Sequence, residues 1–341
     1  MHPLLFLFIM IITRTPFRIS FFGGGTDYPQ WYDKHGGQVL STTINKYCYI
    51  LLRNLPPFFR FDHVIRYSER EEVKWVSEIK HPSVRACFVY AGVKGGLEVV
   101  HTGDIPAKSG IGSSSAFTVG LLHALYGLQG NIVTKRKLAD AALHVEQHII
   151  EECVGSQDQV ACVFGGFNKI EFNKQGFYVK PLTLKEERLK LLEGHLMLFF
   201  TGFSRQASEI AKSQVQNFKV KNATLKSIHD MVDEAIGYLN TDIISFGKLL
   251  HESWELKKNL SSKISTDEID NMYNIALRKG AIGGKLLGAG GGGFLLIFAE
   301  PKKHKIVEKA LVKQGAVYVP FDFESLGSQI IHYSTIDNNY D

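Results

Sequence analysis

The sequence predicts an α+β protein with two domains. The first half mixes short runs of β-branched and aromatic residues with two helical stretches, whereas the second half has strands only around a long helical region. A chain of 341 residues is long enough to form two hydrophobic cores. Because Pro181 and the charged run 185–190 interrupt the apolar pattern, we predict domains at 10–185 and 186–335.

Each predicted element rests on the spacing of its apolar residues. Runs of β-branched and aromatic residues predict strands, and apolar residues three and four positions apart predict helices. In the first half, strands are predicted at 11–22, 37–44, 48–53, 97–101 and 166–172, and helices at 116–127 and 134–153. In the second half, strands are predicted at 194–201, 293–299 and 316–322, and helices at 224–239, 241–258 and 302–314.

The composition is that of an ordinary globular protein and excludes several functions. The net charge of +5 is small for this length and the cations are scattered, so we expect no nucleic-acid partner. The apolar run 3–12 is too short to span a bilayer and lacks a cleavage site, so we expect a start at Met10 and no membrane association. Four cysteines without a C-x-x-C pair are typical of reduced thiols in the cytoplasm. The sequence leaves a homodimer open.

The segment 104–116 carries two glycines and four serines between a predicted strand and a predicted helix. Gly110 and Gly112 allow a tight turn, and the amides at the start of the following helix favour an anion. Ser113, Ser114 and Ser115 add hydroxyl donors, and one of them could bind magnesium. The segment therefore predicts a phosphate-binding loop, although no Lys follows Gly112 as in a P-loop. The alternative is a serine-rich N-cap of a core helix.

The segment 14–28 places Arg14, Arg18, a three-glycine turn and Asp27 within fifteen residues. Such a turn could present Asp27 to substrate hydroxyls and hold Arg18 near developing negative charge. The alternative is a tight turn capped by its aspartate.

Two carboxylates near the end of the helix predicted at 134–153 could serve phosphoryl transfer. Asp158 follows a glycine break and could orient the attacking hydroxyl, while Glu146 could supply a hard oxygen for Mg²⁺. Taken alone, each is as well explained by a helix cap or a solvated helix face. His144 and His148 flank Glu146, but their H-x-E-x-H spacing differs from the zinc-protease pattern.

Two further segments could contribute to a binding site. In 285–294 four consecutive glycines precede a strand, which favours a backbone that must approach something closely. In 201–209 a strand passes into a helix, and Arg205 could meet an anion, although simple capping explains this segment better.

Three glycine-rich segments, 14–28, 106–116 and 285–294, resemble the three motifs of the GHMP kinases and occur in the same order along the chain. The resemblance implies a ribosomal-protein-S5-like N-terminal domain and a ferredoxin-like C-terminal domain, with ATP and acceptor in the cleft between them. It implies that Asp158 is the catalytic carboxylate with Arg18 beside it, and that Ser114 and Glu146 bind Mg²⁺. It implies that the ATP phosphates are held by Lys108, Gly110, Gly112, Ser113, Ser114 and Ser115.

The acceptor implied by the resemblance is a phosphorylated sugar. Three glycines stand where galactokinases have Gly-Glu-His, and the runs 22–29 and 201–209 are most similar to D-glycero-D-manno-heptose 7-phosphate kinases, which make the 1,7-bisphosphate for surface polysaccharide. The implied substrate contacts are Arg14, Gly24, Gly25, Asp27, Arg205 and Gly291, with Lys46 as a further candidate cation. The alternatives are a fucose- or galactose-type kinase and a protein that binds ATP and sugar without turnover.

Overall fold

The computed structural model describes residues 8–107, 109–202 and 207–336 and contains two β-sheets. Up to residue 193 the strands are β1 (Phe8–Phe22), β2 (Gly37–Asn54), β3 (His63–Arg66), β4 (Arg70–Val73), β5 (Leu97–Gly103), β6 (Asn168–Asn173) and β7 (Gly176–Pro181). The helices of the same part are α1 (Pro29–His35), α2 (Pro82–Ala91), α3 (Ser113–Leu128), α4 (Lys135–His144), α5 (Gln157–Phe164) and α6 (Glu186–Glu193). Helix α4 continues into a π-helical segment, Val145–Ile149.

The second half contributes fewer strands and longer helices. The strands are β8 (Leu196–Phe200), β9 (Ala281–Leu286), β10 (Phe294–Ala299), β11 (Val317–Tyr318), β12 (Phe323–Glu324) and β13 (Gln329–Ile336). The helices are α7 (Ala207–Asn217), α8 (Asn222–Asn240), α9 (Ile243–Lys258), α10 (Asp267–Arg278) and α11 (His304–Val312). Among the described residues, no helix is long and apolar enough to cross a membrane.

The larger sheet has nine strands in the described chain. Six of them follow the order β13-β1-β2-β5-β3-β4, while β6 and β12 also pair with β2, and β7 pairs with β6. The pairs are antiparallel except for β3 with β5. Helix α3 packs on β1 and β2 at Gly120, where a Cβ would lie only 3.1 Å from Thr15 Oγ1. Thr13 Oγ1 donates a 3.0 Å hydrogen bond to the Gly120 carbonyl, so the middle of α3 is held in place relative to the sheet.

The smaller sheet is antiparallel and has the order β11-β8-β10-β9. Along the chain its elements run β8, the helices α7 to α10, β9, β10, α11 and β11. This is the β-α-β-β-α-β order of a ferredoxin-like fold, so the α+β prediction is confirmed.

One strand prediction is wrong, and the last strands pair in a way that the sequence did not predict. The runs 37–44 and 48–53 form one strand, β2, because the polar Asn45 and Lys46 lie at a register shift in its pairing with β1 rather than in a turn. The last two strands, β12 and β13, lie within the predicted second domain but pair with β2 and β1 of the larger sheet. The long strand β1 thereby gains a neighbour on the side that β2 does not cover. The domain limits at 185 and 186 stay a prediction.

Candidate active site

A cavity of about 280 Å³ lies where the two sheets and their helices meet. Its walls are formed by the end of β1 and the following turn, the loops before α3 and α5, helices α7 and α9, and the end of β9 with the segment after it. The sequence-predicted site residues that line it are Arg18, Gly24, Gly25, Asp27, Gly110, Gly112, Ser113, Ser114, Ser115 and Asp158. Residues from three distant segments of the chain therefore meet in one place.

Arg18 and Asp158 form the central ion pair of the cavity. Arg18 Nε and Nη2 donate to Asp158 Oδ1 and Oδ2 at 2.8 and 2.9 Å, and Nη1 donates to the Gly110 carbonyl at 2.9 Å. The Arg18 side chain is 2% exposed, whereas that of Asp158 is 26% exposed. Asp158 lies in the first turn of α5, not in a loop as the glycine break suggested, and there the helix dipole favours a carboxylate. The pair holds one carboxylate, in a fixed orientation, at the cavity.

The loop before α3 depends on its glycines. Gly110 and Gly112 have φ angles of 80° and 78°, a region that favours glycine. Gly112 is the N-cap of α3, so the amides of the first helical turn begin at the cavity wall. Free amides at a helix start bind anions, and the phosphate-loop interpretation of this segment fits that arrangement.

The second glycine cluster packs against that same loop. A Cβ on Gly288 would lie 2.5 Å from Gly110 Cα, and one on Gly293 would lie 2.1 Å from the Ser109 carbonyl oxygen. The backbone that these glycines approach is therefore the loop of the other domain. Gly288 and Ala289 line the cavity, but Gly291, predicted to contact substrate, instead donates its amide to the Ile264 carbonyl at 2.8 Å and does not line it.

Asp27 is fixed in the wall by backbone amides. It is 1% exposed, and it accepts hydrogen bonds from Gly25 N at 2.9 Å and Gln157 N at 3.4 Å. Burial raises the pKa of this carboxyl group despite the amide bonds, and the charge of Asp158 raises it further. A Cβ on Gly155 would lie 2.0 Å from Asp27 Oδ2, so the glycine allows the two segments to meet.

Next to Asp27 the cavity wall contains polar atoms without partners in the described chain. Ser20 Oγ and Gln157 Oε1 are buried and make no hydrogen bond, although both residues line the cavity. A Cβ on Gly24 would lie 3.8 Å from Ser20 Oγ and 3.7 Å from Gln157 Nε2, so this glycine keeps the space between them open. Polar atoms converging on one small space are what a ligand with several hydroxyl groups requires.

Glu146 lies behind the start of α3, in the π-helical segment. It is 1% exposed, and its Oε2 accepts a 2.9 Å hydrogen bond from Ser115 Oγ and another from Gln159. Burial raises its pKa to about 7, while the hydrogen bond from Gln159 opposes that rise. Its other oxygen, Oε1, is buried without a partner in the described chain.

These features fit a magnesium ion. Mg²⁺ takes one or two carboxylate or hydroxyl oxygens from the protein and the rest from phosphates and water. Glu146 Oε1 and the exposed Ser114 hydroxyl are oxygens of that kind, whereas no cluster of three or more His, Cys, Asp or Glu side chains occurs in the described residues. A zinc site at His144 and His148 is not formed there.

Of the cations proposed for a substrate phosphate, the two that the structure describes, Arg14 and Lys46, do not line the cavity. Arg14 donates to Gln329 Oε1 at 2.9 Å and lies 4.6 Å above the Tyr47 ring. Residues four apart in a regular strand share a face, but β1 has a register shift between Pro16 and Phe17, and only Arg18 reaches the cavity. Lys46 does not line it either. Lys108 and Arg205 lie outside the described residues.

Two buried lysines that sequence reasoning missed do line the cavity. Lys257 of α9 and Lys285 of β9 line the cavity and are 6% and 2% exposed. Lys257 Nζ donates to the Gly288 carbonyl, and Lys285 Nζ donates to the Phe21 carbonyl at 2.8 Å. Burial lowers the pKa of Lys257 to about 8 and that of Lys285 well below its ordinary value. A signal existed, because Lys257 continues the buried face of α9 that Phe246, Leu250 and Trp254 define.

Phosphoryl transfer is catalysed mainly by groups that position the reactants and stabilise charge, and this cavity contains the amides of a helix start and an oriented carboxylate. The fold and the site thus define a phosphotransferase. Comparison with known families agrees: the GHMP kinases N terminal domain matches residues 79–166, and the GHMP kinases C terminal domain matches residues 234–317.

Individual relatives extend the match over nearly the whole chain. The D-glycero-alpha-D-manno-heptose 7-phosphate kinase of Campylobacter jejuni is 31% identical over 331 residues, which cover 93% of this chain and 97% of the relative. A galactokinase of Pyrococcus furiosus is 25% identical over 89% of this chain and 93% of its own length. The crystal structure of a D-glycero-D-manno-heptose 1-phosphate kinase from Bacteroides thetaiotaomicron, 23% identical, has a TM-score of 0.77 and covers 96% of this chain and 99% of that one. The chain belongs to the GHMP kinase family, whose members use ATP as the phosphate donor.

Proposed function

We propose that the protein transfers the γ-phosphoryl group of ATP to the anomeric hydroxyl of D-glycero-D-manno-heptose 7-phosphate and so forms the 1,7-bisphosphate. The observation that carries the proposal is the pairing of Asp158 with the buried Arg18 at the edge of the Gly110–Ser115 loop. The choice of acceptor is supported by the relative from Campylobacter jejuni, which is named for that substrate.

In the proposed reaction the chain acts mainly by positioning and by stabilising charge. The amides at the start of α3 hold the phosphates of ATP. Asp158 orients the acceptor hydroxyl and takes its proton, while Arg18 stabilises the negative charge that develops beside the carboxylate. Glu146 and Ser114 would hold Mg²⁺, which neutralises phosphate charge when it is bound.

The acceptor would bind on the other side of the carboxylate. Asp27, Ser20 and Gln157 line that part of the cavity and offer hydrogen bonds to ring hydroxyls. Gly24, which has no side chain, leaves room there. The 1,7-bisphosphate would serve the synthesis of activated heptose for surface polysaccharide. The enzyme would act in the cytoplasm, as the sequence led us to expect.

The test is ADP release with Mg-ATP against a panel of acceptors. The panel contains D-glycero-D-manno-heptose 7-phosphate, the corresponding 1-phosphate, mannose 6-phosphate, fucose, galactose and mevalonate. Turnover restricted to the 7-phosphate supports the proposal. Turnover of fucose or galactose would keep the kinase chemistry and replace the acceptor, and binding of ATP and sugar without any ADP release would replace catalysis with a sensing role.

A further inference from the structure

Lys257 is a buried cation that the chemistry proposed above does not use. It lies on the buried face of α9, is 6% exposed and lines the cavity. Within the described contacts its Nζ makes one hydrogen bond, to the Gly288 carbonyl, and no ion pair. An ammonium group carries three donors, so two remain for a ligand.

No carboxylate forms an ion pair with Lys257 in the described chain, although the charges of Asp27 and Asp158 lie near enough to favour its protonated form. Asp158 is paired with Arg18, and Asp27 accepts its hydrogen bonds from backbone amides. Lys285, whose described hydrogen bond is to the Phe21 carbonyl, lies near enough that the charge of Lys257 opposes its protonation. The wall formed by α9 and β9 is therefore positive and buried.

Keeping the ammonium group of Lys257 in a buried wall without an ion pair is costly, and a bound anion offsets that cost. Phosphate is the anion that a phosphotransferase cavity handles, and lysine is a common phosphate ligand. The Gly110–Ser115 loop contacts the segment after β9 through Gly110 and Gly288, so the two lysines and the loop amides flank the same cavity.

We infer that Lys257, supported by Lys285, forms a phosphate subsite on the wall that α9 and β9 contribute to the cavity. The inference rests on the proposed function, because the group bound there is either the γ-phosphoryl group of ATP in transfer or the phosphate carried by the acceptor. Both are phosphate oxyanions, and both need the donors that Lys257 has left.

The test measures binding without turnover. The affinity of the protein for inorganic phosphate is compared by calorimetry in the wild type, Lys257→Met and Lys257→Gln, with Lys258→Met as the matched control. Lys258 is the next residue of α9, but it is paired with Glu255 and Asp270 away from the cavity. Met keeps the length of the side chain and Gln keeps a hydrogen-bond donor, so the two variants perturb the fold differently.

We expect both Lys257 variants to lose about tenfold or more in phosphate affinity, since hydrogen bonds to charged groups contribute on that scale, and Lys258→Met to bind like the wild type. Thermal unfolding confirms that each variant is folded. Wild-type affinity in either folded Lys257 variant overturns the inference. Because no turnover is involved, this result is independent of whether heptose phosphate is the acceptor.

Competition identifies the source of the phosphate. Displacement of inorganic phosphate by the non-hydrolysable ATP analogue AMP-PNP, and not by heptose 7-phosphate, assigns the subsite to the transferred group. The reverse result assigns it to the acceptor, in which case Lys257→Met raises KM for the phosphorylated sugar more than it lowers kcat. Displacement by neither ligand contradicts a subsite in the reaction path.

Discussion

Asp158 and Glu146 are two carboxylates of one site in opposite surroundings. Asp158 keeps 26% of its side chain exposed and is paired with a buried guanidinium group. Glu146 is 1% exposed, is hydrogen-bonded to the neutral side chains of Ser115 and Gln159, and has a pKa raised to about 7. Ionised Asp158 has a counter-charge that belongs to the protein, whereas Glu146 has none among the described contacts. In the proposed function this difference separates the carboxylate that acts on the acceptor from the one that would hold a metal ion.

The largest effect is expected when the first carboxylate is made neutral. Asp158→Asn keeps the shape of the side chain but cannot take a proton, so we expect kcat to fall about 10³-fold while ATP still binds. Steady-state ADP release and calorimetric ATP binding measure the two quantities. A folded variant with near-normal turnover would show that Asp158 is not the catalytic carboxylate.

Removing the counter-charge of Asp158 tests the pair itself. Arg18→Met leaves a partly buried carboxylate without its partner, and we expect the free energy of unfolding to fall by about 3 kcal/mol. Arg14→Met is the control, because Arg14 lies in the same strand but is bonded to the neutral Gln329, and we expect less than about 1 kcal/mol there. Urea unfolding of both variants gives the comparison, and equal losses would mean that the ion pair adds nothing.

The pH dependence of stability tests the second carboxylate. Between pH 4.5 and 7 the unfolded chain ionises Glu146 before the folded protein does, so the folded state loses stability as the pH rises through this window. The full cost is about 3 kcal/mol above pH 7. In metal-free buffer, Glu146→Gln is therefore expected to be more stable than the wild type at about pH 8, but not below pH 4.5. Urea unfolding at both pH values measures this, and a variant that gains equally at both would contradict the raised pKa.

The smallest effect concerns the hydrogen bond that holds Glu146. Ser115→Ala removes the 2.9 Å bond to Oε2, and we expect a loss of about 1 kcal/mol in the free energy of unfolding. Ser114→Ala, on the exposed side of the same turn, is expected to leave stability unchanged. If the two variants unfold alike, Ser115 does not hold the carboxylate.

The sequence predicted those site residues whose role follows from the residues next to them in the chain. Arg18, Gly110 and Asp158 lie in short segments whose residue types indicate a binding site, and all three line the cavity. Arg14 stands in such a segment too, but its position depends on a strand irregularity that periodicity does not detect.

Lys257 could not be assigned to the site from its neighbours in sequence. The apolar periodicity of α9 places it on a buried face, but no nearby residue indicates that this face lines the cavity. The pairing of β13 with β1 is also invisible to local patterns, because it joins segments more than three hundred residues apart. Contacts of this range are set by the packing of the whole chain.

That last pairing has a consequence for how the protein is made. During synthesis β1 emerges more than three hundred residues before β13, so one edge of β1 stays uncovered until β13 has been made. An apolar edge strand exposed for that long can pair with another chain. The ribosome-bound chain is thus open to aggregation at this edge until β13 adds to the sheet.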